Sequence, residues 1–270
     1  MIVEAHGPGR PDAVWRRLVD PSRWSSWAPQ IRRVESDDTV LHPGVTGRVH
    51  GPAGIVVDYE ITECDAELRA WSWVVSAGPV DVVMRHVVLP APGGGSRALL
   101  QIHGASAVVA QAYRPIAKRA LQRLVDDSPA NETTDSPEGP LQTFDFAFSP
   151  RYAAAALPFG ITPATTAVEV GAPWLYVRYG PWQLLTPRSN VVATHLTGGF
   201  SFIKTAGPPH LSFSDCGISM TTNGERALCL EFATPVSAID TTGMIRHPGA
   251  TLSVADPEGL AAALYGPFSA

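Results

Sequence analysis

The chain has 270 residues, of which 45% are hydrophobic and 17% charged; this balance supports sizeable cores and, at this length, two domains. Its net charge of −5 is unevenly placed: residues 1–125 hold 14 basic and 12 acidic groups, residues 126–143 five acids and no base, and residues 144–270 six basic and eight acidic groups. Neither half has the basic surplus of a nucleic-acid binder, and no run approaches the ~20 apolar residues of a membrane helix.

In chain order, Ile2 to Ala5 reads as a short strand and Pro11 to Val19 as an amphipathic helix, with proline in its first turn and Trp15, Leu18 and Val19 at helical spacing. Asp20-Pro21-Ser22 ends it, and Ser22 to Trp27 forms a second short helix or turn. Strands are predicted over Thr46 to His50, Ile55 to Glu63, Ala70 to Val75, Val80 to Leu89 and Ala98 to Gly104. Gly78-Pro79 and Gly93-Gly94-Gly95 separate the later ones. Successive strand residues face opposite ways, so Val57, Tyr59, Ile61, Trp71, Trp73, Val75, Val82, Met84, His86, Leu100 and Ile102 should point inward. A long helix, Ala107 to Asp126, closes this half, with Val109, Ala112, Tyr113, Ile116, Ala120 and Leu124 as its apolar stripe and a kink at Pro115. A curved antiparallel sheet gripping one long helix leaves an apolar hollow between them.

This pattern resembles the START-like (SRPBCC) helix-grip superfamily, which includes polyketide cyclases and aromatases, lipid-transfer domains and plant hormone-binding proteins. The residues that carry it are Val14 to Pro29, Ser72-Trp73-Val74-Val75 and Arg85-His86-Val87-Val88. The resemblance spans roughly residues 1–125. It implies an α+β fold and an apolar ligand, a small molecule or lipid, between sheet and helix. Catalytic residues differ among its branches, so it assigns none here.

Asp126 to Gln142 is acidic and rich in proline, a composition that cannot bury apolar surface. The domains are therefore placed at 1–126 and 144–270, with an acidic linker over 127–143. The second half reads as short strands over Ala167 to Val170, Trp174 to Tyr179, Trp182 to Leu185, Val191 to Leu196, Ile218 to Thr222, Ala227 to Phe232 and Thr251 to Val254. Asn223-Gly224 predicts a type I′ hairpin, and Asp256-Pro257-Glu258 caps a closing helix with Leu260, Ala263 and Leu264 on its apolar face. Seven strands and a terminal helix resemble the pleckstrin-homology (PH-like) barrel of bacterial proteins, carried by Leu175 to Val192. That implies an interaction module with a possible protein partner. The basic residues Arg178, Arg188, Lys204, Arg226 and Arg246 are too scattered for phosphoinositide binding. Phe200, Phe202 and Ile203 form an apolar loop that either folds over the barrel mouth or contacts a partner or a membrane surface.

The candidate ligand contacts are Trp24, Trp27, Val57, Tyr59, Trp73, Met84, His86, Leu100, Tyr113 and Ile116, the alternative being that the same side chains pack solidly. His86 is the one ionisable group that alternation turns inward, and it or Tyr59 would handle protons if the protein were a cyclase or dehydratase. A third reading is a scaffold whose hollow is filled. Cys64, Cys216 and Cys229 have no CxxC spacing, and the histidines have neither i,i+4 nor HExxH spacing, so no metal is expected. The glycine run lacks the lysine and helix of a phosphate loop, no nucleophile elbow is present, and no cofactor is expected. Unpaired cysteines imply a reducing compartment, and the N-terminus reads unlike a signal peptide, so the expected location is cytoplasmic.

Overall fold

The computed structural model describes residues 1–78, 80–92, 94–128, 141–202, 206–211, 217–238 and 245–266. The chain divides into two compact units, Met1–Asp135 and Ser136–Ala270. Most of the predicted linker, residues 129–140, lies outside the described residues.

The first unit runs β1 (Ile2–Gly7), α1 (Pro11–Leu18), α2 (Trp24–Trp27), β2 (Arg33–Ser36), β3 (Thr46–His50), β4 (Val56–Asp65), β5 (Ala70–Ala77), β6 (Val80–Pro90), β7 (Ser96–His103) and α3 (Ala107–Asp126). The strands form one open seven-stranded sheet in the order β1-β7-β6-β5-β4-β3-β2, antiparallel throughout. β1, the first strand in sequence, pairs with β7, the last, while α3 packs on both. This is the α+β helix-grip arrangement. β2 was not foreseen, because Arg33-Val34-Glu35-Ser36 offers a single apolar residue. Pairing with β3 supplies the order that its composition lacks.

A register shift between Ile61 and Glu63 bulges β4, which bends that strand locally. Strand alternation holds on the concave face: Tyr59, Ile61, Trp71, Trp73, Met84, His86, Leu100 and Ile102 are buried. On α3 the stripe is turned by about one residue. Ala110, Ala117, Ala120, Leu121, Leu124 and Val125 are buried, whereas Val109 and Ile116 are 58% and 42% exposed. Alanines at 110, 117 and 120 let the helix axis approach the sheet, and the unbroken apolar run Val108-Val109-Ala110 holds no polar residue to fix the facing side. Ser106 caps the helix by accepting a bond from the Val109 amide at 3.3 Å, and the helix continues through Pro115 as one element.

The second unit has a four-stranded sheet, β11-β10-β9-β8, and a five-stranded sheet, β12-β15-β16-β14-β13, among its described residues. Its elements are β8 (Gln142–Phe144), α4 (Pro150–Ala156), β9 (Thr166–Val170), β10 (Trp174–Tyr179), β11 (Trp182–Pro187), β12 (Val191–Gly198), β13 (His210–Leu211), β14 (Ile218–Met220), β15 (Arg226–Ser237), β16 (Arg246–Leu252) and α5 (Pro257–Tyr265). The strands are thus shared between two sheets, and one pair, β14 with β16, is parallel. Two expectations are corrected. Asn223-Gly224 does not close a hairpin: β16 lies between β14 and β15 in the sheet, and the Asn223 carboxamide oxygen instead accepts from the amides of Glu225 and Arg226. β16 begins earlier than the predicted strand, and Val254 makes only an isolated bridge to Phe146. α4 is a further helix that the strand pattern did not anticipate; it opens on proline and is rich in alanine, both favourable to a helix start. The Asp256 cap is formed, its carboxylate accepting from the Gly259 amide at 2.8 Å, and Leu260, Ala263 and Leu264 are buried. Phe202 packs edge-on against Tyr152 with the Arg151 guanidinium over its ring; the Phe200 amide donates to the Gly224 carbonyl at 2.9 Å, and Ile203 lies outside the described residues.

Candidate functional site

Between the concave face of the first sheet and α3 lies a cavity of about 340 Å³. Strand register explains its wall. Trp71 sits opposite His86 across β5 and β6, and His86 sits opposite Leu100 across β6 and β7. One step along, Trp73 faces Met84. Directly opposed side chains on one face touch, so five apolar or aromatic groups meet without long-range coincidence. α2 adds Trp27, and α3 adds Tyr113, Ile116, Ala117, Ala120 and Leu121. The mouth is marked by Ile55 and Ile116, which line the cavity and are also 57% and 42% exposed.

The aromatic groups form an ordered stack. Trp24 lies on Trp71 with centroids 5.5 Å apart and planes 13° apart, and Trp71 lies on His86 at 4.5 Å and 9°. Trp73 meets Trp24 edge-on at 5.2 Å. Each such pair adds roughly 0.5–1.5 kcal/mol to the burial of its area. The Trp24 indole donates to the Leu18 carbonyl at 2.8 Å, which anchors the stack to the end of α1.

The other cavity indoles are not so occupied. Trp27, Trp71 and Trp73 are each less than a tenth exposed, and their Nε1 groups have no hydrogen-bond partner among the described residues. Both ring nitrogens of His86 and the Gln30 carboxamide oxygen are in the same state, while the Gln30 amide nitrogen donates to the Tyr113 hydroxyl at 2.9 Å. Burial pushes the His86 pKa down to about 3, so near neutral pH the imidazole is uncharged and offers one donor and one acceptor. Burial also raises the Tyr113 phenol, which stays protonated. The lining contains no Asp, Glu, Lys or Arg.

Of the sequence-named residues, Trp24, Trp27, Val57, Trp73, Met84, His86, Leu100, Tyr113 and Ile116 line this cavity. Tyr59 does not. It packs against Trp24 and Trp73 and borders a separate trough of about 750 Å³ flanked by Glu35, Asp37, Asp58, Glu60 and Asp81, too open and polar to desolvate a ligand. Burial raises the Tyr59 pKa as well, and the ring belongs to the support of the aromatic stack. Trp71 and Gln30 were missed as site residues. The alternation that named Trp73 named Trp71 as inward, whereas nothing in the local pattern around Gln30 separates it from a surface glutamine.

Among the described residues no group of three His, Cys, Asp or Glu could hold a metal ion, and no helix is long and apolar enough to cross a membrane. Cys64 is a free thiol, and Cys216 lies outside the described residues.

Residues 3–131 match the sequence profile of the family described as polyketide cyclase / dehydrase and lipid transport. No curated protein matches the chain. Similar solved structures include Ara h 8.0201, with 16% identity, a TM-score of 0.39 and coverage of 46% of this chain and 93% of that one. Protein MLL2253 from Mesorhizobium loti has 19% identity, a TM-score of 0.39 and coverage of 48% and 98%. A protein from Thermobifida fusca has 14% identity, a TM-score of 0.38 and coverage of 45% and 83%. Over residues 3–131 the first unit is thus similar, by sequence profile, to the family described as polyketide cyclase / dehydrase and lipid transport, and its helix-grip architecture agrees with that match.

Proposed function

We propose that the first unit, residues 1–126, binds one small hydrophobic ligand in the cavity between sheet and α3, and that the second, residues 144–270, is an interaction module of PH-like character. The observation that carries the first part is the cavity itself: about 340 Å³, enclosed by aromatic and aliphatic side chains with no ionised group. That volume lies at the lower end of the ~300–1,000 Å³ typical of ligand sites. It suits a ring system or a single short chain, and it is too small for a two-chain lipid. A scaffold with a solidly packed hollow would lack such a space. Support for cyclisation or dehydration is thinner, because general acid–base catalysis needs a positioned partner and the cavity offers His86 no carboxylate. For the second unit the support is two sheets around one core with a closing helix.

The neutral fluorophore 1-aminoanthracene tests the binding reading. It should bind the full-length protein saturably at one site, and Trp73→Ala or Met84→Ala should weaken it by roughly tenfold, the loss of one good aromatic or aliphatic contact, with the far-ultraviolet circular dichroism unchanged. Absence of saturable binding, or equal affinity in folded variants, would overturn it.

A further inference from the structure

A second concave site of the first unit, a trough of about 660 Å³, shares no lining residue with the apolar cavity. Its polar lining is Arg16 and Arg17 of α1, Asp20, Ser22 and Arg23 of the turn that follows, and Thr39 between β2 and β3. Three guanidiniums therefore meet one carboxylate. Arg16 and Arg17 stand in the last turn of α1, where the negative end of the helix dipole favours cations. The carboxylate is already engaged: one Asp20 oxygen accepts from the Ser22 amide at 3.0 Å and from the Ser22 hydroxyl, the other from Arg23 Nε at 2.9 Å. Arg23 bonds through Nε alone, so its two terminal nitrogens have no acceptor among the described residues. Arg17 is half-buried and donates to three neutral oxygens, the Leu124 carbonyl at 3.4 Å and the Ser128 and Ser26 hydroxyls at 3.3 Å. Those bonds are long for a guanidinium, which approaches an anionic oxygen to about 2.7–2.9 Å. Burial disfavours the Arg17 charge, Asp127 supports it, and the field of Arg23 opposes it again. Two guanidiniums close enough to repel thus line one trough with donor capacity left over.

We propose that this trough binds the phosphate group of a phosphate monoester, bridged between Arg17 and Arg23, with Arg16 adding charge at its rim. The geometry of the anion decides the class. Chloride is a point charge and a carboxylate offers two oxygens in one plane, whereas a phosphate monoester presents three terminal oxygens and close to two charges near neutral pH. Two planar guanidinium forks can therefore bind separate oxygens of one phosphate. Val19 and Val40 give the trough an apolar border for the esterified group.

Phenyl phosphate titrated into the isotope-labelled full-length protein, with ionic strength held constant by sodium chloride, tests this through the arginine Nε–H resonances. Those of Arg17 and Arg23 should shift saturably. Diphenyl phosphate, a monoanion with two free oxygens, should bind at least about threefold more weakly. Arg23→Gln removes one fork, and Arg17→Lys keeps the charge but not the fork. Each should weaken phenyl phosphate by about fivefold or more, with the far-ultraviolet circular dichroism unchanged. No saturable shift, the same shift from chloride alone, or unchanged affinity in both folded variants overturns the proposal. Vesicles of phosphatidylcholine with and without phosphatidic acid then identify the source of the phosphate. Co-sedimentation that requires phosphatidic acid, is reversed by phenyl phosphate and is lost in Arg23→Gln assigns a lipid headgroup; saturable phenyl phosphate binding without it assigns a soluble ester.

Discussion

His86 shows how a single buried side chain ties the site to the stability of its unit. It is 5% exposed, stacked on Trp71, and its pKa is pushed by burial from an ordinary 6.5 to about 3. The unfolded chain therefore takes up a proton below about pH 6.5 that the folded chain refuses until about pH 3. Stability contributed by neutral His86 is complete above the higher value and is lost as pH falls toward the lower one. At ~1.4 kcal/mol per pH unit, the loss across that window is on the order of 5 kcal/mol. Urea denaturation of the first unit should accordingly show its midpoint falling between pH 7 and pH 4. In His86→Phe, which preserves the stack on Trp71 without a titrating group, that dependence should flatten; an equally steep profile in the variant would assign the effect to other residues. The role of His86 as an inward ring was legible in the alternation of β6, but its lack of a hydrogen-bond partner among the described residues was not, since that depends on Trp71 and Leu100 from neighbouring strands.

Among the elements, β3 and β4 control the shape of the hollow. Gly47 in β3 has no room for a side chain: a Cβ there would press on the Glu35 carbonyl and lie 2.7–2.8 Å from the hydroxyl and ring of Tyr59. The close approach lets Tyr59 lie across β3 and brace Trp24 and Trp73. Gly47→Ala is expected to destabilise the first unit by about 1–3 kcal/mol, the range for forced overpacking, measured by chemical denaturation, and to loosen 1-aminoanthracene binding because the stack loses its brace. A variant as stable as the parent would mean that β2 and β3 separate at little cost. The existence and type of β4 to β7 and α3 followed from period and composition. The facing of α3 did not, because apolar residues surround Val109, and only the approach of Ala110, Ala117 and Ala120 to the sheet fixed which side was buried.

At the scale of the whole molecule, two cores form, one from residues of Met1 to Val125 and one from Phe146 to Leu264. Each is closed by a helix that ends its own unit, α3 and α5. A fragment of residues 1–128 should therefore fold cooperatively by itself and bind 1-aminoanthracene within about threefold of the full chain, a difference below ~1 kcal/mol. An unfolded fragment, or one that has lost binding, would mean that the first core depends on the second half.

The amino-acid sequence by itself determined the sheet-and-helix character of the first half, the inward set on its strands and the capped helix that ends the second. These rest on local periods of two and 3.6 residues, on proline and on side-chain caps, all of which act over a few positions. Tertiary structure alone decided that Trp71, His86 and Leu100 lie side by side, that Tyr59 supports the stack from outside the cavity, that Asn223 bonds its own loop instead of turning a hairpin, and that three indoles find no acceptor among the described residues. Those facts depend on register and on crossings between strands far apart in the chain, where the geometry of packing selects among arrangements that local preference leaves equal.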